Sequence, residues 1–154
     1  MCLILKNPRI YTEEDIKVVK YGIKRINSGI FSVPREEFYP FEEEKRVPEI
    51  EILPDIVAEW SITKSGLYSV YPHIAQAVYA SNMSEYSNSP TWYVMSENDK
   101  FVVCEAIIPK GSKYVRNTHT FVSDRLIVLD KIIPNKILLN IIHPRYEDIK
   151  QKFY

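Results

Sequence analysis

The sequence predicts one α+β domain over residues 1–154, consisting mainly of antiparallel strands with a short helix near 72–82 and a C-terminal helix near 145–153. Two long runs of β-forming apolar residues, 101–108 and 122–133, are the strongest pattern in the chain. A Pro-Lys-Gly-Ser turn and a polar connection join them. Both helices are predicted where apolar residues recur at helical spacing directly after a proline. At 154 residues, the chain is long enough for one domain with a buried core.

The N-terminal part contains one clear strand and one segment with two interpretations. Met1–Leu5 is predicted to form a short buried strand that ends at Asn7-Pro8, because proline removes an amide donor. For residues 13–26 we expect a helix, because apolar residues recur there at helical spacing: Ile16, Val19, Ile23 and Ile26. A strand also fits, because Val18, Val19 and Tyr21 favour β-structure, and the sequence leaves both open.

The middle of the chain is predicted to be extended. Residues 30–41 combine prolines with aromatic side chains, which is typical of packed edge structure. Residues 49–52 alternate between glutamate and isoleucine, as in a strand with one buried face. Pro54 is expected to end this strand, and a second strand is expected over 55–62. One more strand is predicted at 136–142, before the C-terminal helix.

The charge balance argues against nucleic acids and anionic membranes as partners. Lysine plus arginine and aspartate plus glutamate number 20 each, so the formal net charge is zero. Nucleic acids and anionic membranes are bound through a basic excess, which this composition lacks. The acidic run 36–55 indicates a solvated loop and strand edge. The N-terminal apolar run is too short for a signal peptide, and no stretch has the length of a membrane span, so we expect a cytoplasmic protein.

Cysteine and histidine patterns give no metal or disulfide prediction. The two cysteines, Cys2 and Cys104, are too few for a disulfide framework or a four-cysteine zinc site. Cys104 lies between apolar residues in a predicted strand, which is typical of an inert buried thiol. The three histidines are widely spaced and match no ligand motif. We therefore expect neither a metal ion nor a cofactor.

The connection between the two long apolar runs carries the candidate ligand-binding residues. Lys110, Lys113, Tyr114, Arg116 and His119 combine positive charge with an aromatic ring and an imidazole within eleven residues of sequence. Such side chains suit a phosphate or a nucleotide group. The turn lacks the upstream glycine of a P-loop, so it is predicted to be a turn between strands.

Three stretches of this sequence resemble a known group of proteins. MCLILKNPRI, GLYSVYPHIAQAVYAS and CEAIIPKGSKY followed by FVSDRLIV are similar to small uncharacterised proteins of bacteriophages and of gut bacteria of the Bacteroides type. The resemblance covers most of the chain apart from residues 81–99 and the tail after Ile133. It implies a phage or mobile-element origin and action in the cytoplasm of a host, without implying a particular activity.

A second resemblance is to ADP-ribosyltransferase domains. The sequence Ile-Pro-Lys-Gly at 108–111 looks like a turn of that family, and Ser69 stands ahead of the predicted helix as the family's serine motif does. The resemblance implies NAD as cofactor and the following catalytic residues: Arg25 or Arg35, Ser69, and Glu105 or Asp124. The second carboxylate of the family's Glu-x-Glu motif is missing, because the corresponding stretch at 123–126 reads Ser-Asp-Arg-Leu.

The function expected from these observations is that of a small, non-enzymatic binding protein. Its partner would be a host protein or a small nucleotide-like ligand, and a homodimer is compatible with the sequence. The chain contains 11 tyrosines, and tyrosine provides contact area at low entropic cost. An ADP-ribosyltransferase-like domain, active or degenerate, is the alternative.

Overall fold

A computed structural model of the chain describes residues 2–3, 10–32, 37–48, 52–55, 60–63, 66–83, 96–116 and 118–138. Within these ranges the strands are β1 (Cys2–Leu3), β2 (Ile10–Tyr11), β3 (Ile16–Lys24), β4 (Gly29–Ser32), β5 (Glu37–Pro40), β6 (Glu44–Arg46), β7 (Ile52–Asp55), β8 (Trp60–Thr63), β9 (Leu67–Val70), β10 (Lys100–Ile108), β11 (Lys113–Arg116), β12 (Thr120–Ser123) and β13 (Arg125–Ile132). The paired strands are antiparallel. The sheet-rich α+β fold predicted from the sequence is therefore confirmed.

Helices form a small part of the described chain. A 3₁₀ turn, Pro72–Ile74, leads directly into α1 (Ala75–Asn82), which confirms the helix predicted after Tyr71. α2 (Asn135–Leu138) occupies the beginning of the predicted strand 136–142, so that strand prediction is wrong over residues 136–138. The predicted C-terminal helix at 145–153 lies outside the described residues. Where the structure describes the chain, it contains no helix long and apolar enough to cross a bilayer.

β10 lies inside the main sheet, between β3 and β13. The path of that sheet is β2-β11-β12-β9-β3-β10-β13-β6, and the hairpin of β4 and β5 is attached to β3. The pairing of β10 with β13 confirms that the two long apolar runs are partners. The second run is, however, divided at Asp124, because β12 ends at Ser123 and pairs instead with β11 and β9.

The segment for which a helix was expected forms strand β3, so the helix prediction is wrong. All nine residues of β3 pair with β10, from Ile16↔Ile108 to Lys24↔Lys100. The apolar residues that repeat at helical spacing also fit a strand that is covered on both faces. Tertiary pairing with β10 therefore decides between two patterns that are compatible with the local sequence.

A second, three-stranded sheet has the order β1-β8-β7. Pro54 lies inside β7 and pairs with Ser61, so the prediction that it ends the strand is wrong. β7 is an edge strand of this sheet, and an edge tolerates a proline because one side of the strand needs no amide donor. Of the strand expected over 55–62, residues 60–62 belong to β8, Asp55 belongs to β7, and residues 56–59 lie outside the described residues.

Two apolar clusters lie on opposite faces of the main sheet, because successive side chains of a strand alternate between faces. The inner cluster consists of Val18, Ile30, Tyr39, Leu67, Val102, Cys104, Ala106, Ile108, Tyr114, Phe121, Leu126 and Val128. The helix-side cluster consists of Val19, Ile23, Val70, Ala75, Tyr79, Met83, Phe101, Val103 and Leu138. Both β3 and β10 contribute side chains to both clusters.

The hairpin of β4 and β5 crosses the inner face of β3 at Gly22. A Cβ atom on Gly22 would lie 2.5 Å from the carbonyl oxygen of Phe31 in β4, so the backbones approach each other closely only because this residue is glycine. β4 pairs with β3 at Ile23↔Phe31 and with β5 along its length. The hairpin thereby brings Tyr39 of β5 onto the inner face of β3.

Candidate functional site

The connection between β10 and β11 is a structured turn, as predicted; Lys110 lies in it, and Lys113 is the first residue of β11. The Lys110 amide donates a hydrogen bond to Asp15 Oδ1 at 2.8 Å. The Lys113 ammonium group lies 5.6 Å from the centre of the Tyr11 ring. Both lysines are therefore held beside the N-terminal part of the chain.

The other three predicted ligand residues are divided between the core and the surface. Tyr114 is 9% exposed and packs in the inner cluster. Arg116 and His119 are exposed, and both contact Tyr71. Arg116 Nη1 donates a hydrogen bond to the Tyr71 hydroxyl oxygen at 3.3 Å, and the Tyr71 amide donates to the His119 carbonyl oxygen at 3.2 Å. The structure thus brings two of the five predicted residues together.

Tyr71 organises a patch that we call the Tyr71 surface, formed by Tyr71, His73, Arg116 and His119. The Tyr71 ring is half-buried, with its centre 4.3 Å from that of the buried Phe121 ring. The ring centre of the exposed His73 imidazole lies 5.3 Å from the ring centre of Tyr71. A guanidinium group can hold a phosphate through paired hydrogen bonds, and flat rings can stack against a planar base. The patch therefore combines both kinds of contact.

The residues that the ADP-ribosyltransferase resemblance implies include two on opposite faces of the sheet. Ser69 is 3% exposed and lies on the inner face, because Leu67, two positions earlier on β9, belongs to the inner cluster. Glu105 is exposed and pairs with Val19, whose side chain is on the helix-side face. These two side chains consequently do not meet in one cleft.

The remaining residues implied by that resemblance have structural contacts or lie outside the described part. Asp124 Oδ1 accepts a hydrogen bond from the Lys113 amide at 3.0 Å, which joins β11 to the bend after β12. Arg25 Nε lies 3.4 Å from Asp99 Oδ1, and its guanidinium group is 5.2 Å from the centre of the Phe31 ring. Arg35 lies outside the described residues.

No prediction from the sequence included Lys20, which is a buried cation in the middle of β3. Lys20 is 7% exposed, and its Nζ donates a hydrogen bond to the Tyr68 carbonyl oxygen at 2.6 Å. The same nitrogen lies 4.6 Å from the centre of the Tyr39 ring. A second ammonium group, that of Lys45, lies 4.5 Å from this ring centre. Two lysines therefore share one aromatic ring.

Burial changes the protonation of Lys20. Three effects together lower the pKa of Lys20 to about 7: loss of water around the charged form lowers it most, the carboxylate of Glu37 opposes this change, and the positive charge of Lys45 adds to it. Lys45 donates a hydrogen bond to the Phe38 carbonyl oxygen at 2.6 Å, which fixes it in this position. Near neutral pH, Lys20 is thus present in substantial part as a neutral amine.

One signal in the sequence could have indicated Lys20. If residues 16–24 are read as a strand, Lys20 lies on the same face as its nearest neighbours Val18 and Gly22, and neither of these is polar. A lysine at such a position requires either an open surface or a dedicated partner. The helical interpretation of this segment concealed the alternation.

The thiol of Cys104 lies on the same inner face as the Lys20 amine, and it is unreactive at neutral pH. Its side chain is fully buried, and desolvation raises the pKa of the thiol to about 12. It therefore stays protonated at neutral pH, in agreement with the inert thiol expected from the sequence.

Comparisons of the chain with protein-family models, curated proteins and solved structures gave no match. Functional arguments therefore depend on the residues themselves. In the described part of the chain, histidine, cysteine, aspartate and glutamate side chains form no group of three that could hold a metal ion.

Proposed function

We propose that the chain is a small binding protein whose Tyr71 surface takes a nucleotide-like ligand, with the ligand phosphate on Arg116. The observation that carries this proposal is the contact between the exposed Arg116 guanidinium and the hydroxyl of Tyr71, 3.3 Å away. This contact orients the guanidinium beside an aromatic ring. A phosphate and a planar base could be bound together there.

Support for a small ligand comes from the overall charge. The formal net charge of the chain is zero, and some cationic side chains in the described residues have acidic partners, such as Arg125 with Glu44 at 2.7 Å. A long polyanion requires many phosphate contacts, whereas a single nucleotide requires one or two. The resemblance to small phage proteins supports a place of action in the cytoplasm of a host.

The experiment is a calorimetric titration of the intact protein with ADP, AMP and ADP-ribose, each in turn. The variant R116Q is expected to weaken binding by about 10- to 100-fold, since a hydrogen bond to a charged group contributes about 1.5–3 kcal/mol. The matched control is R46Q, which removes an exposed arginine that pairs with Glu44 in β6.

Two results would contradict the proposal. One is the absence of saturable binding for all three compounds, and the other is equal affinity of R116Q and the unchanged protein. The variant Y71F refines the test, because it removes the hydroxyl that orients Arg116 and keeps the ring for stacking. We expect an effect smaller than that of R116Q.

A further inference from the structure

The main sheet is interrupted beside Lys20. One edge of β3 pairs with β10 along its whole length, so its other partners share the opposite edge. Among the described strands, β9 pairs there at Val19↔Val70 and β4 pairs there at Ile23↔Phe31. Residues 20–22 lie between these two points, where the edge of β3 is opened.

The Lys20 amine lies at this opening. Its hydrogen-bond acceptor, the carbonyl oxygen of Tyr68, belongs to the peptide that precedes Ser69 in β9. The Tyr39 ring covers it from the hairpin side, and the Lys45 ammonium of β6 lies 4.5 Å from the centre of the same ring. Tyr39 also donates a long hydrogen bond of 3.5 Å to Glu37. A reactive nitrogen is thus surrounded by an aromatic ring, a carboxylate and a second cation.

Ser69 adds an unused polar group to this cluster. Its hydroxyl is buried and has no hydrogen-bond partner among the described residues. Ser69 and Lys20 lie on the same face, and continuing the Val19↔Val70 register by one residue would set them opposite each other. A buried hydroxyl without a partner is unfavourable, so it marks a place where a ligand oxygen would be stabilised.

We propose that Lys20 forms a reversible imine with a small carbonyl compound, an aldehyde or a 2-oxo acid, which enters at the opening between β9 and β4. This function goes beyond nucleotide binding at the Tyr71 surface and concerns a separate group of residues. The neutral amine adds to the carbonyl carbon to give a carbinolamine. The carbinolamine hydroxyl then leaves with the proton of the nitrogen as water, and the addition of water reverses the reaction.

The surroundings of Lys20 favour each stage of this chemistry. A lysine in water has a pKa of about 10.4, so roughly one side chain in a thousand or fewer is neutral at pH 7. Desolvation and a neighbouring cation are the two devices by which proteins prepare lysines for imine formation, and Lys20 has both. The Ser69 hydroxyl, which lies on the same face as Lys20, would donate a hydrogen bond to the carbonyl oxygen during addition.

The test is reductive trapping in the unchanged, full-length protein. Pyruvate or propionaldehyde is added with cyanoborohydride at pH 7, which reduces an imine to a stable secondary amine, and peptide mass mapping gives the rate at each lysine. Lys17, exposed on the same strand, is the internal control. Lys20 is expected to be modified at least about tenfold faster than Lys17 in the folded protein and at a similar rate in guanidinium chloride.

A Lys20 rate that does not exceed that of Lys17 in the folded protein overturns the proposal. The two probes separate an anionic from a neutral ligand, because a nearby Lys45 ammonium favours the carboxylate of pyruvate. The variant S69A is expected to slow trapping at Lys20 without moving the pH at which the rate is half-maximal. An unchanged rate in S69A overturns the role assigned to the Ser69 hydroxyl.

Discussion

Lys20 carries its ammonium group at a position where folding has removed most of the surrounding water. The unfolded chain holds this proton up to a pH of about 10.4, whereas the folded chain releases it near pH 7. Between these values, unfolding takes up a proton, so the free energy of unfolding must rise with pH. Below pH 7 both states are protonated, and the unfavourable contribution of the buried charge is fully present and constant.

This linkage predicts a stability profile that depends on one side chain. From pH 7 to about 8.5, the free energy of unfolding is expected to rise by at most about 1.4 kcal/mol per pH unit from Lys20. The variant K20M should lack this contribution, and K17M should keep it. Urea denaturation at several pH values measures both. Equal slopes for K20M and the unchanged protein would show that Lys20 is not desolvated.

The upper limit of this pH window follows from Cys104. Burial raises the pKa of the Cys104 thiol, so above about pH 9 the unfolded chain loses a proton that the folded chain retains. This opposite contribution lowers the free energy of unfolding as pH increases. The effect of Lys20 is therefore best observed below pH 9.

At the scale of elements, the hairpin of β4 and β5 creates the surroundings of Lys20. Its position depends on Gly22, where a Cβ atom would collide with backbone and could not be relieved by a side-chain rotation. We predict that G22A lowers the free energy of unfolding by about 1–3 kcal/mol and displaces the hairpin. Displacement would rehydrate Lys20 and remove its preferential trapping by carbonyl compounds.

A second glycine provides the control for this prediction. Gly111 has a φ of 84°, and a Cβ atom there would lie 3.5 Å from Arg125 Nη1, which is an ordinary van der Waals contact. G111A is expected to destabilise through backbone strain of roughly 1–2 kcal/mol while the hairpin stays in place. Amide hydrogen exchange of β4 and β5, together with the trapping rate at Lys20, separates the two variants. Retention of fast trapping in G22A would contradict the role given to the hairpin.

Some of the strands and helices could be predicted from the sequence, and others could not. The pairing of β10 with β13 and the helix after Tyr71 were predictable, because their patterns are local and their apolar residues are unambiguous. The strand β3 was not, since helical and strand patterns coincide in it. Its state is decided by β10, which is about eighty residues away in the sequence.

The candidate site could be predicted only in part for a related reason. Arg116 and His119 are exposed, as a basic polar stretch suggests, but Tyr71 joins them through pairing of β9 with β12 and β12 with β11. The burial of Lys20 was not predicted, because a lysine side chain is normally exposed to solvent. Its burial results from a hairpin that crosses the strand, and no local pattern encodes that crossing.

At the scale of the whole molecule, β3 and β10 connect the two apolar clusters. Alternate residues of the same two strands enter the inner cluster and the helix-side cluster, so neither cluster can lose its packing without disturbing strands that the other needs. The two faces of the main sheet are therefore expected to unfold in a single cooperative transition.

Matched substitutions on the two faces test this expectation. Ile23 in the helix-side cluster and Ile108 in the inner cluster are both almost fully buried, at 1% and 0% exposure. We predict that I23V and I108V each lower the free energy of unfolding by about 0.5–1.5 kcal/mol, and that the double variant gives the sum, because the residues belong to different clusters. Denaturation followed by circular dichroism, with amide exchange along β10, should report one transition that shifts in both variants. Two separate transitions, or exchange that increases on only one side of the sheet, would mean that the inner face and the helix-side face fold independently.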